Sequence, residues 1–166
     1  GSRKLFETIK PWDDSLLINQ DGEYFTRAIV ASAGVIFEPQ SRVYYRSELH
    51  GSVSQFKPHK APSLFASIES FEQATIQLGD DTALKTLISN HYMGFIYRVY
   101  PLVPELRKKA RAKIEHYGKP TRRNDVAESK AARLICLIFG WKLLVRLRRR
   151  RSSFASSLKI NHDRNA

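Results

Sequence analysis

The sequence predicts two structural classes in one chain: an α/β segment, short strands plus a helix, over residues 1–56, and a mostly α-helical region after it. Three observations support this. Short β-rich runs separated by turn residues fall before residue 56. Apolar residues at helical spacing dominate 63–100. Charge is segregated: residues 1–104 hold 10 Lys/Arg against 11 Asp/Glu, whereas 105–151 hold 16 against 4. The net charge of +12 is therefore regional, which excludes a uniformly nucleic-acid-coating surface and points to one patch facing an anionic partner. At 166 residues and 42% hydrophobic content, the chain is one domain by size with a modest core.

The first segment is organised around Pro11-Trp12-Asp13-Asp14-Ser15-Leu16-Leu17-Ile18-Asn19-Gln20-Asp21-Gly22-Glu23-Tyr24-Phe25-Thr26-Arg27. An aromatic-Asp turn and a short apolar run precede an acidic helix start, which Asp21 could simply cap. Glu23 and Arg27 are spaced to pair on one helix face. Asp21-Gly22-Glu23 also has the D-x-E form of a metal motif. Gly34 is the expected helix stop. Val35-Ile36-Phe37-Glu38 and Val43-Tyr44-Tyr45-Arg46, separated by Pro39-Gln40-Ser41, read as paired strands.

This arrangement resembles the acceptor-side motif of family 2 glycosyltransferases of the GT-A type, in which an aromatic-Asp turn precedes an acidic pair and then Glu or Asp-x-x-x-Arg. Trp12, Asp13, Leu16, Glu23 and Arg27 match that pattern, and Gln20 stands where the family often has an acid. The resemblance is specific over about residues 3–54. It implies a GT-A remnant and an inverting transfer of sugar from a nucleotide-sugar donor to a glycan or lipid-linked acceptor. Asp21 would then be the general base. An alcohol is a poor nucleophile until its proton is taken, and a positioned carboxylate typically supplies about 10²–10⁴ in rate. Gln20, Glu23, Arg27, Tyr45 and Arg46 would form the supporting acceptor-side wall. His50 would contact a divalent metal (Mg or Mn) or phosphate, or be an ordinary loop histidine. The metal is expected only in a full-length enzyme, because the sequence shows no upstream Asp-x-Asp strand and no phosphate-binding glycine loop. The chain is thus expected to be the C-terminal part of such an enzyme, inactive alone.

Residues 57–118 read as a helical extension. Lys57–Pro62 is a loop, and a helix follows over 63–78 with Leu64, Phe65, Ile68 and Phe71 on one face. Gly79-Asp80-Asp81 stops it, and Asp81 or Thr82 caps a second helix over about 83–100. Pro101 and Pro104 break that helix, and a basic third helix runs to Tyr117 before Gly118-Lys119-Pro120.

Residues 119–151 carry a basic amphipathic helix, predicted as one piece over about 126–151, and 152–166 read as a disordered tail. Leu134, Leu137, Ile138, Trp141, Leu144 and Val145 share one face of a continuous helix, beside Lys142, Arg146, Arg148, Arg149, Arg150 and Arg151. The uncharged run is shorter than the roughly 20 residues a spanning helix needs. The pattern suits a helix lying in an anionic membrane interface, or one packed on the core with a solvated basic end. The arginine run lacks the interleaved aromatics that favour nucleic acid. A basic helical module for membrane surface or nucleic acid is the alternative function. The apolar helices are candidates for burying a second copy. Cys136 stands alone, with no partner for a disulfide or zinc site, which suits a cytoplasmic setting, peripheral at the inner face of the cell membrane.

Overall fold

A computed structural model describes residues 3–42, 44, 56–121 and 129–148. Among them, all regular structure is helical: α1 (Arg3–Thr8), α2 (Gln20–Ala31), a 3₁₀ turn (Pro58–Lys60), α3 (Ala61–Ile76), α4 (Thr82–Val99), α5 (Pro104–Tyr117) and α6 (Lys130–Phe139). A further helical run occupies 141–148.

The predicted α/β segment is therefore corrected to a helical one. Val35, Ile36 and Phe37 are 70%, 94% and 85% exposed in irregular chain. A strand exists only through hydrogen bonds to a neighbour, and no described residue supplies one. Only the turn between the expected strands is present, with the Ser41 amide donating to the Glu38 carbonyl at 3.2 Å. Most of the second expected strand lies outside the described residues, as do Tyr45, Arg46 and His50.

Helix α2 starts two residues after a buried Ile18, on Asn19 in the left-handed conformation (φ 63°). The Asn19 side chain lies so close to Gly22 that a Cβ there would meet its Oδ1 at 2.5 Å, which accounts for the glycine within the first turn. The helix ends at Ser32, not Gly34: the Ser32 hydroxyl donates to the Ile29 carbonyl at 2.8 Å.

Helices α3, α4 and α5 form the core. Leu64, Phe65 and Ile68 of α3 meet Ile88, Tyr92, Phe95, Ile96 and Val99 of α4, with Ala110 of α5 and Ile18 completing the cluster. Asp81 caps α4, its Oδ1 accepting from the Leu84 amide at 2.8 Å, and Pro104 occupies the first turn of α5, where no amide donor is needed. Helix α5, basic by sequence, also carries an apolar face. It packs Leu106, Ala110, Ile114 and Tyr117 on the core while its Lys and Arg residues remain largely on the outer side. Val103 holds a positive φ of 44° between α4 and α5. Arg107 brackets that turn, donating to the Pro101 and Leu102 carbonyls at 2.8 Å each.

The single helix expected over 126–151 is also corrected. Gly140 breaks it with φ 75° and ψ 157°, a region that only glycine enters readily. The kink turns Trp141 out of the α6 stripe and onto Tyr97 and Tyr100, with ring centroids at 4.6 and 5.1 Å. Leu144 and Val145 are buried behind it. Trp141 is thus a packing residue here, while Lys142, Arg146 and Arg148 stay exposed and Arg149, Arg150 and Arg151 lie outside the described residues. We expect Gly140→Ala to cost about 1–3 kcal/mol. In a Trp12→Phe background the emission of Trp141 reports it: a red shift at unchanged helicity is expected, and an unmoved spectrum would mean the Gly140 break does not set the Trp141 position.

Candidate functional site

The motif residues converge on α2, but on two sides of it. Glu23 and Arg27, one turn apart, face inward towards α3. Arg27 is pinned at every nitrogen: Nε and Nη2 donate to the Glu23 carboxylate at 2.6 and 2.9 Å, Nη1 to the Lys10 carbonyl at 2.6 Å, and Nη2 also to the Pro11 carbonyl at 3.0 Å. The planar guanidinium thereby clips the chain before Trp12 onto the helix, a job its fixed fork of donors suits. The Ser70 hydroxyl adds a 2.6 Å bond from α3 to Glu23.

Burial pushes the Glu23 carboxyl up, but hydrogen bonds from Arg27 and Ser70, with the Arg27 charge, outweigh it and leave the group below its ordinary value. The same pairing raises Arg27 further above its usual range. Asp13 closes its own turn, accepting from the Ser15 hydroxyl and amide at 2.5 and 2.9 Å, and those bonds hold it below the ordinary aspartate value. Trp12 and Phe6 pack on Tyr24 at 5.4 and 6.3 Å, and Arg27 lies over the same ring at 5.3 Å.

Between the 8–13 segment, α2 and α3 lies an open cleft of about 830 Å³. Trp12, Asp13, Glu23 and Arg27 line it, with Gln73 and Gln77 from α3 opposite. One concavity thus has an aromatic ring and a paired carboxylate from the motif on one wall and the Gln73 and Gln77 amides on another. Sequence reasoning missed the α3 contribution. Ser70, Gln73 and Gln77 form a polar stripe at helical spacing beside the apolar one, and that stripe was the available signal.

Asp21 does not line the cleft. It sits in the first turn of α2, exposed, accepting only from the adjacent Gly22 amide at 2.8 Å, with no ion pair among the described residues. Its helical stripe continues into Phe25 and Ile29, both more than half exposed. Gln20, at the head of the helix, turns back to donate to the Leu16 carbonyl at 2.6 Å. Among the described residues no cluster of His, Cys, Asp or Glu could hold a metal ion, and His50, the predicted contact, lies outside them.

A second buried carboxylate, absent from the sequence reading, is Glu72 on α3. Lys113 of α5 donates to both its oxygens at 2.7 and 2.8 Å, Tyr117 to Oε1 at 2.5 Å, and Tyr92 of α4 to Oε2. Burial raises the carboxyl, and the three donors with the Lys113 charge more than reverse this, leaving it below its ordinary 4.5. Burial and the same carboxylate push Tyr117 up to about 12 and Tyr92 higher still. Accepting four hydrogen bonds on its two oxygens, this carboxylate ties three helices together.

No family model, curated protein or solved structure matches the chain.

The Glu72 cluster makes stability depend on pH at both ends. Its depressed carboxyl contributes above 4.5, and that contribution is lost as pH falls below it through the folded value. The raised Tyr117 contributes below 10, and that is lost as pH rises towards about 12. Denaturant midpoints across pH should fall on both flanks. In Glu72→Gln the plateau should drop and the acid flank become shallower; an acid flank as steep as the parent's would remove Glu72 as its source.

Proposed function

We propose that the chain supplies the acceptor side of an inverting glycosyl transfer, with Asp21 as the general base. The supporting observation is the contrast between the acids of the motif. Glu23 is buried and bonded to Arg27 and Ser70, and Asp13 is committed to its own turn. Asp14 and Asp21 are both exposed without an ion pair among the described residues, and of the two only Asp21 stands in the first turn of α2, where the helix dipole favours negative charge.

In this reading an acceptor hydroxyl gives its proton to Asp21. Its oxygen bonds to the anomeric carbon while the bond from that carbon to the nucleotide diphosphate breaks, the diphosphate leaving with the electron pair. Glu23 and Arg27 are positioning residues that fix the Trp12 turn and the start of α2. Donor binding is assigned to polypeptide other than the described residues, and the exposed Phe25 and Ile29 are surface that such a donor-binding half would cover. No step is assigned to a metal.

The test uses the natural polypeptide that contains this sequence, with a panel of nucleotide sugars and hydroxylated acceptors. Asp21→Asn should lower turnover by about 10²–10⁴ while donor affinity stays unchanged and stability moves by less than about 0.5 kcal/mol, as for an exposed residue. Glu23→Gln should instead lose activity in step with stability. Full turnover in Asp21→Asn would remove it from the role of base.

A further inference from the structure

The Gly140 break leaves α6 with an apolar face that nothing described covers. Leu134, Leu137, Ile138 and Phe139 are 58%, 84%, 62% and 64% exposed. Leu134, Leu137 and Ile138 fall at i, i+3 and i+4, one stripe of the helix. The patch is not a loosely attached end. Immediately after Gly140, Trp141 seats on Tyr97 and Tyr100, and Leu144 and Val145 are buried. The stripe is therefore held out from the body by an anchored segment.

The charge along the described segment that carries it is of one sign. Residues 129–148 contain no Asp or Glu, and Lys142, Arg146 and Arg148 are exposed just beyond the stripe. Arg146 also lies over the Tyr100 ring at 5.5 Å, which fixes the direction of its stem. In the sequence Arg149, Arg150 and Arg151 extend the run.

We propose that this face docks on an anionic lipid surface, with the α6 stripe entering the outer hydrocarbon and the cations following 140 meeting the headgroups. Helix α6 has 10 residues, about 15 Å of rise, against roughly 30 Å of hydrocarbon, and no described helix is long and apolar enough to cross. It therefore lies along the interface, the geometry expected of a short helix with apolar and basic sides. A second copy of the chain fits less well, because pairing the stripes would oppose two sets of cations with no acid in 129–148 to offset them. Nucleic acid fits the cations but gives the aliphatic stripe nothing to contact, since base stacking calls for aromatic platforms.

The experiment is cosedimentation of the full chain with phosphatidylcholine vesicles, with and without phosphatidylserine. Binding should be strong only with phosphatidylserine and should weaken as salt is raised. Leu137→Gln with Phe139→Gln, both at exposed positions, should weaken it at least tenfold at unchanged helicity. Arg146→Gln with Arg148→Gln should weaken it about fivefold per residue. Equal binding by the Leu137/Phe139 variant would overturn the proposal. So would duplex RNA binding that ignores that variant in a chain that does not sediment with vesicles, or a concentration-dependent dimer abolished by the variant without vesicle binding.

Discussion

Two carboxylates withdrawn from water, Glu23 and Glu72, set the terms on which these helices pack. A buried ionised acid is tolerated only with donors on its oxygens, and here the donors come from different elements. Glu23 needs Arg27 from its own helix and Ser70 from α3. Glu72 needs Tyr92 from α4 and Lys113 and Tyr117 from α5. Moving α5 would take the Lys113 cation from Glu72, and moving α3 from α2 or α4 from α3 would take a hydroxyl donor from a buried acid, so both clusters constrain angle and register where apolar contact alone tolerates sliding. The two acids meet on α3, which contributes Ser70 to one and Glu72 to the other.

Helix α3 can do this because its faces differ. Ser63, Ser67 and Ser70 lie along one side and bond in turn to the Leu17 amide, the Asn19 side chain and Glu23. Small hydroxyls let α2 approach closely while satisfying polar groups at its irregular start. Leu64, Phe65 and Ile68 lie along the side that meets α4. The motif around Trp12 is thus fastened to a rigid core through α3 rather than standing alone on a loop. That rigidity positions the cleft walls and the first turn of α2, whatever chemistry is performed there.

How much of this was readable in the sequence follows from what each signal depends on. The boundaries of α4 were close to legible because Asp81 and the Pro101–Pro104 breakers act locally. The pairing of Glu23 with Arg27 was legible for the same reason: four-residue spacing fixes it within one helix. The strand expected at 35–38 failed because β-rich sequence states a capacity to pair, and pairing requires a neighbour that local sequence cannot supply. The Gly140 break failed because an isolated glycine inside a helical pattern is usually tolerated. What decided against continuity was the aromatic seat for Trp141 on Tyr97 and Tyr100, more than 40 residues away in sequence. Glu72 was invisible because its partners at Tyr92, Lys113 and Tyr117 are 20 to 45 residues distant.

The separation of Asp21 from Glu23 has a physical consequence for how the motif can work. Two positions apart on a helix, side chains point to nearly opposite sides, so these acids cannot share one proton or one ligand. The inner one sits beside a permanent cation that holds it ionised, and it accepts three hydrogen bonds. Such a group is a poor proton acceptor. In the proposed transfer the proton therefore goes to the outer face, to Asp21 above the exposed Phe25 and Ile29. Exposure to water limits what a carboxylate can do, because electrostatic and hydrogen-bonding effects strengthen only when solvent is excluded. The outer face becomes a competent place for such chemistry only when another surface closes over that apolar stripe. In the proposed transfer, closure and donor binding are then one event: the polypeptide that brings the nucleotide sugar also supplies the roof that dries Asp21.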